Sequence, residues 1–175
     1  MWKTLLAVIV LVLAGIAIYA ATKPDNFRVQ RTATINAPPE KVFALLTDLK
    51  GWQAWSPWEK KDPAMKRTFG ATTSGKGASY AWEGNKDVGQ GRMQIADSVS
   101  PSKVTLNLDF VKPFEAHNLV VFTLEPKGDA TSVTWAMQGD TPYLAKIIHV
   151  FVNMDKMVGK DFEAGLANLK AAAEQ

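Results

Sequence analysis

Few side chains in this 175-residue chain could carry acid–base, nucleophilic or metal chemistry. It has no cysteine and only two histidines, His117 and His149. Glu115 stands two residues before His117, which on a strand puts carboxylate and imidazole on one face. With Asp109, such a pair would form an acid–base couple if it pointed into a cavity. On an exposed strand edge it would be an ordinary surface pair. His149 has Val152 and Asn153 at the i+3 and i+4 positions, so no carboxylate lies within helical reach. No HExxH, P-loop, GxSxG or dinucleotide fingerprint is present. Two isolated histidines without cysteine do not make a metal site, so no metal, no cofactor and no catalytic residue is assigned.

The aromatic side chains are concentrated instead. Trp52, Trp55 and Trp58, half of the six tryptophans, fall within seven residues. Each ring can bury roughly 150–250 Å², so the run is either a structural plug or one wall of an apolar site. Trp52 directly follows a helix signal and is assigned to the scaffold. Pro57 fixes the chain between Trp55 and Trp58, which are assigned to the rim of a cavity. Tyr80 and Trp82 are two apart on a strand and share a face. Leu106, Leu108 and Phe110 share another, opposite Asn107 and Asp109. Phe151, Met154, Met157, Val158 and Phe162 recur at helical spacing, a stripe that packs as core unless a cavity opens beside it. The expected ligand-lining set is therefore Trp55, Trp58, Tyr80, Trp82, Phe110, Phe151, Met154, Val158 and Phe162.

These residues must be positioned by recognisable elements. Residues 27–35 read as a strand. A short amphipathic helix over 41–49 follows, with Asn36 as its N-cap and Gly51 just past its end. From 66 to 138 the pattern is β: strands are expected at 67–72, 78–83, 91–98, 103–110, 116–125 and 131–137. The short Gly- and Pro-bearing gaps between them favour an antiparallel meander. Between 142 and 174 the spacing predicts one long amphipathic helix, with Gly159 and Gly165 bending it or letting it approach the sheet. The fold class is α+β: an antiparallel curved sheet of about seven strands, wrapped on a long C-terminal helix.

Residues 1–22 are almost wholly apolar. The stretch from Thr4 to Ala21 would span about 27 Å as a helix, near the thickness of a bilayer core. This length favours an uncleaved transmembrane signal-anchor over a signal peptide, with a linker at 23–26 and one domain at 27–175. A short N-terminal tail suits a single pass of the inner membrane with the domain periplasmic or otherwise extracytoplasmic. Lysine and arginine total 20 against 17 acids, a net charge of +3. The basic residues are scattered, which excludes a nucleic-acid footprint and leaves a mildly basic face toward anionic lipid.

The order strand, helix, tryptophan run, six strands and long helix resembles the helix-grip fold of the START superfamily. Residues 35–43 (INAPPEKVF), Asp48–Trp52 through Ser56-Pro57-Trp58, residues 80–85 (YAWEGN) and residues 88–93 (VGQGRM) are similar to the bacterial polyketide cyclase/dehydrase-like branch of that superfamily, also called SRPBCC. The similarity covers residues 27–172. It implies a hydrophobic small molecule or lipid held in an internal cavity, with the membrane and that ligand as partners. The alternatives are a cyclase or dehydratase using a polar cluster in the cavity, and a protein-interaction module whose cavity is collapsed.

Overall fold

A computed structural model describes residues 1–175. The first helix, α1 (Trp2–Ala21), is long and apolar enough to cross a bilayer, and most of its side chains are exposed. Strand β1 (Asn26–Ile35) follows, then α2 (Pro39–Thr47), a 3-10 turn (Gly51–Ala54) and α3 (Pro57–Lys61). Six strands come next: β2 (Lys66–Phe69), β3 (Ser79–Glu83), β4 (Gln90–Val99), β5 (Lys103–Lys112), β6 (Ala116–Lys127) and β7 (Ala130–Asp140). Two helices close the chain, α4 (Tyr143–Phe151) and α5 (Met154–Ala173).

All seven strands form one antiparallel sheet in the order β1-β7-β6-β5-β4-β3-β2. The meander from β2 to β7 follows from the short turns, and β1 joins it beside β7, pairing Asn26 with Asp140 and Ile35 with Thr131. The α2–α3 segment therefore carries the chain from one edge of the sheet to the other. Two register shifts between β4 and β5, at Gln90/Gly91 and Ile95/Asp97, bend the sheet, as an extra residue in one strand must. The expected α+β helix-grip architecture is present.

Alternate residues of the strands face α5. Val104 and Leu106, Phe122 and Leu124, and Val133 and Trp135 are buried there with Phe162, Leu166 and Leu169 of the helix. Gly165 is what lets the two layers close. A Cβ at this position would lie 2.6 Å from the Trp135 ring and 3.1 Å from Pro57. Gly159 plays the same part opposite the Arg31 guanidinium, which bonds Asp155 at 2.9 Å and Glu163 at 2.7 Å and ties α5 to β1.

Three expectations are corrected. The helix over 142–174 is two helices, because Val152 and Asn153 are extended and the Asn153 side chain accepts from Lys156 N at 2.9 Å, capping a new start. Asn36 does not cap α2. Pro38 and Pro39 hold the chain extended until the helix begins at Pro39, and Asn36 N donates to Glu174 Oε1 instead. Gly51 opens the 3-10 turn rather than ending α2, which stops at Thr47 with Asp48 beyond it.

Gly165→Ala adds a methyl against a ring that cannot swing aside. Overpacking of this kind costs about 1–3 kcal/mol, against up to about 1 kcal/mol gained in helix propensity. The expected net loss is about 1 kcal/mol, a fall in melting temperature of about 2–4 °C by calorimetry.

Candidate functional site

Between α5 and the curved sheet lies a cavity of about 290 Å³, lined by 16 hydrophobic residues among 21. That is about twice the volume of an apolar cavity of roughly 150 Å³ able to hold benzene. Two aromatic walls face each other across it. The first joins three elements: Trp58 of α3, Trp135 of β7 and Phe162 of α5. Trp135 stacks on Phe162 with centroids 4.2 Å apart and planes 10° apart, and Trp58 stands edge-on to Trp135 at 5.8 Å. The second wall is Tyr80 and Trp82 of β3 with Phe110 of β5. Tyr80 stacks between Phe69 at 5.1 Å and Trp82 at 6.0 Å, and Trp82 meets Phe110 edge-on at 5.8 Å.

The second wall is set by backbone pairing. Trp82 is opposite Gly91 on β4, and a Cβ at Gly91 would lie 2.5 Å from the indole. The ring therefore lies flat over the glycine, while its Nε1 donates to Val88 O at 3.0 Å. Leu106 and Leu108 of β5, Val120 of β6 and Met137 of β7 pave the space between the walls. Asp87, Met157 and the Lys61–Asp161 ion pair, 2.7 Å long, stand at the exposed edge.

One end of this apolar space is polar. Glu59, on α3 next to Trp58, reaches the cavity and is almost wholly buried. Arg67 of β2 donates to it from Nε at 2.9 Å and from Nη2, and also donates to Met65 O at 2.6 Å. The Tyr80 hydroxyl lies 3.3 Å from Glu59 Oε1. Burial pushes the Tyr80 phenol well above its ordinary range, and the adjacent Glu59 carboxylate pushes it further. Tyr80 therefore stays a neutral hydroxyl, able to donate or accept, beside a carboxylate already held by Arg67.

The other titratable cluster faces away. Asp109 bonds His117 Nδ1 at 2.8 Å and Arg92 at 2.9 Å on the face opposite the cavity, and the His117 and Glu115 side chains are 69% and 80% exposed. The hydrogen bond to His117 lowers the Asp109 carboxyl, and the same bond raises the imidazole. The acid–base arrangement that needed these residues inside is ruled out by strand alternation: Leu108 and Phe110 point in, so Asp109 points out. The remaining histidine, His149, is on α4, outside the cavity, and burial lowers its pKa.

Of the residues singled out in the sequence, Trp58, Tyr80, Trp82, Phe110, Val158 and Phe162 come together around the cavity. Trp55 does not. It is 0% exposed and packs between Trp52, Phe122 and Trp135. The reason is local. In a 3-10 turn, residues i and i+3 point the same way, so Trp55 follows Trp52 into the core at 4.7 Å. Trp52 combines the two roles, donating Nε1 to Leu46 O at 3.0 Å while touching the cavity. Phe151 and Met154 also leave the set, because the break at Val152–Asn153 turns Met154 toward a shallow hollow beside the linker and β1 and leaves Phe151 exposed at its rim. An open cavity likewise replaces the collapsed one that an interaction module would have.

Among the contributors not singled out, Trp135, Glu59 and Arg67 matter most. Trp135 shares a strand face with Val133 and Met137, a period-two signal that marks it as inward. Arg67 alternates with Phe69 on β2 in the same way, so a cation on the inner face was open to reading. Glu59 gave no such signal, since its direction depends on a five-residue helix.

The family model described as polyketide cyclase / dehydrase and lipid transport matches residues 26–174. Among curated proteins, none matches. The chain is similar in structure to protein CV1439 of Chromobacterium violaceum, at 14% identity and a TM-score of 0.61 over 87% of this chain and 99% of that one. Protein MLL2253 of Mesorhizobium loti is similar at 19% identity and a TM-score of 0.56, over 83% and 95% of the two chains. The solution structure of the KanY protein is similar at 16% identity and a TM-score of 0.63, over 86% and 99%. At these identities the likeness is one of fold.

The two outer tryptophans of the run are expected to behave differently. Trp55→Ala opens a hole in the core and costs about 3–5 kcal/mol. Trp58→Ala, on a half-exposed wall, costs about 1 kcal/mol. Urea unfolding of the detergent-solubilised chain separates the two, and equal losses would contradict the assignment.

Proposed function

We propose, for a chain that belongs to the polyketide cyclase / dehydrase and lipid transport family, that it binds a hydrophobic small molecule or lipid in the central cavity while α1 holds it to a membrane. The observation that carries this reading is the partly open apolar space lined by two aromatic walls, with the Glu59–Tyr80 corner at one end. Burying about 300 Å² of apolar ligand surface there is worth about 7 kcal/mol before the cost of association. With its proton directed at Glu59 Oε1, the Tyr80 hydroxyl oxygen offers an acceptor to a ligand that carries one donor group at its end.

The same corner is where cyclase-type chemistry would have to occur. Efficient proton transfer needs a group that titrates near the working pH. Tyr80 is driven the other way, and both Glu59 oxygens already accept hydrogen bonds, one from Arg67 and one from Tyr80. The cluster is thus better suited to recognition than to reaction. The anchoring reading draws on the length of α1 and on its C-terminal end, where Lys23 bonds the Tyr19 hydroxyl at 3.0 Å and lies over the ring, the kind of pair that marks a membrane–water boundary. The inner membrane is its proposed location, with the domain on the periplasmic side; protease added to intact spheroplasts should then digest the domain.

Native mass spectrometry of the detergent-extracted chain should reveal a co-purifying apolar adduct. Val158→Trp, which fills the cavity from its half-exposed edge, should weaken binding of an apolar naphthylamine fluorophore by about tenfold, or about 1.4 kcal/mol. No adduct, and equal fluorophore binding by both proteins, would remove the basis of the proposal.

A further inference from the structure

Helix α4 is amphipathic in an unusual sense: its exposed face is the apolar one. Tyr143, Leu144, Ile148 and Phe151 are all solvent-exposed, Leu144 at 66% and Phe151 at 72%. Leu144, Ile148 and Phe151 follow i, i+4, i+7 spacing and form one stripe. Lys146 is buried on the opposite side of the helix, bonded to Asp25 of the linker. The nine residues contain no carboxylate. That ion pair fixes which face points out, and nothing in the fold covers it.

What lies beside the stripe identifies its occupant. The end of α1 packs on α4, and the Tyr143 hydroxyl donates to Ala17 O at 2.9 Å. Ala17 is four residues before the end of α1, so Tyr143 reaches about 6 Å back along the helix at 1.5 Å per residue. If α1 spans a bilayer, α4 cannot stand clear of it.

We infer that α4 is an interfacial helix whose Leu144–Ile148–Phe151 stripe lies in the headgroup–acyl boundary of the same bilayer that α1 crosses. This rests on the anchoring reading and adds a second, in-plane contact to it. Interfacial helices bury their apolar face about 5–10 Å into that boundary, and the Tyr143–Ala17 bond places the start of α4 beside the last turns of α1. Met157, at the exposed edge of the cavity, follows Phe151 by six residues.

The chain's lack of cysteine makes the test direct. Spin labels are placed singly through Val10→Cys, Leu144→Cys, Ile148→Cys, Phe151→Cys and Lys127→Cys in the full chain. Each protein is reconstituted in vesicles of phosphatidylethanolamine with phosphatidylglycerol. Accessibility to oxygen and to a water-soluble nickel chelate is then read by electron paramagnetic resonance. The expected result is an oxygen-to-nickel ratio several-fold higher at the three α4 positions than at Lys127, with Val10 higher still. A lipid-like Val10 with aqueous α4 labels would overturn the inference and leave the anchor standing. Labels on α4 shielded from both reagents would also overturn it, showing a protein partner or a second copy on the stripe. An aqueous Val10 would overturn the anchoring reading, and this inference with it.

Discussion

The stack of Trp135 on Phe162, at 4.2 Å, joins the central sheet to the long terminal helix, and both the core and the cavity depend on it. On one side of the indole lie Trp55 and Phe122, in a dense aromatic core. On the other side the same ring is a cavity wall. The helix comes close enough to make this contact only because residue 165 is glycine. One planar contact thus sets where the protein is solid and where it is hollow. Aromatic residues suit that position because their large rigid faces bury much area at low entropic cost, and the edge-on neighbours brace the stack.

Around this contact the charged groups are sorted by strand alternation. Asp109, Arg92 and His117 form a hydrogen-bonded cluster on the outer face, where water bears the cost of charge. Around the cavity the charges are Glu59 and Arg67 at one end, and Asp87 with the Lys61–Asp161 pair at the exposed edge. A buried carboxylate is tolerable only when paired, and Arg67 supplies that partner with a planar fork. Tyr80 completes the corner. The cavity is consequently apolar along most of its length, with its polar groups confined to the Glu59–Tyr80 corner and the exposed edge.

A second organising line runs along the outside. Arg31 clamps α5 to β1, while Lys146 and Asp25 clamp α4 to the linker. The first holds the lid of the cavity. The second holds an apolar stripe next to the apolar N-terminal helix. The break at Val152–Asn153 separates these duties, so one helix covers the sheet and the other is free to face outward.

Much of this was legible in the chain itself. Period-two alternation located every strand, the short Gly- and Pro-bearing gaps required antiparallel pairing, and the apolar run at residues 4–21 stood out by length. Alternation also put Tyr80, Trp82 and Phe110 on a common side, since a pleated strand allows only two directions. Where direction depends on a turn or a short helix, sequence spacing loses its hold. The sequence separates Trp52 from Trp55 and Trp58, yet a 3-10 turn sends Trp55 inward with Trp52, and only Trp58 reaches the wall. The helix over 142–174 looked continuous because its apolar spacing was, and only the Asn153 cap ended one helix and began another. The chain by itself determined the fold, the aromatic character of the inner face and the absence of thiol chemistry. The tertiary structure alone decided that Trp55 is core while Trp58 is wall, and that Glu59, Arg67 and Tyr80 meet. Those outcomes depend on how layers far apart in sequence close on one another, a distance that local periodicity does not encode.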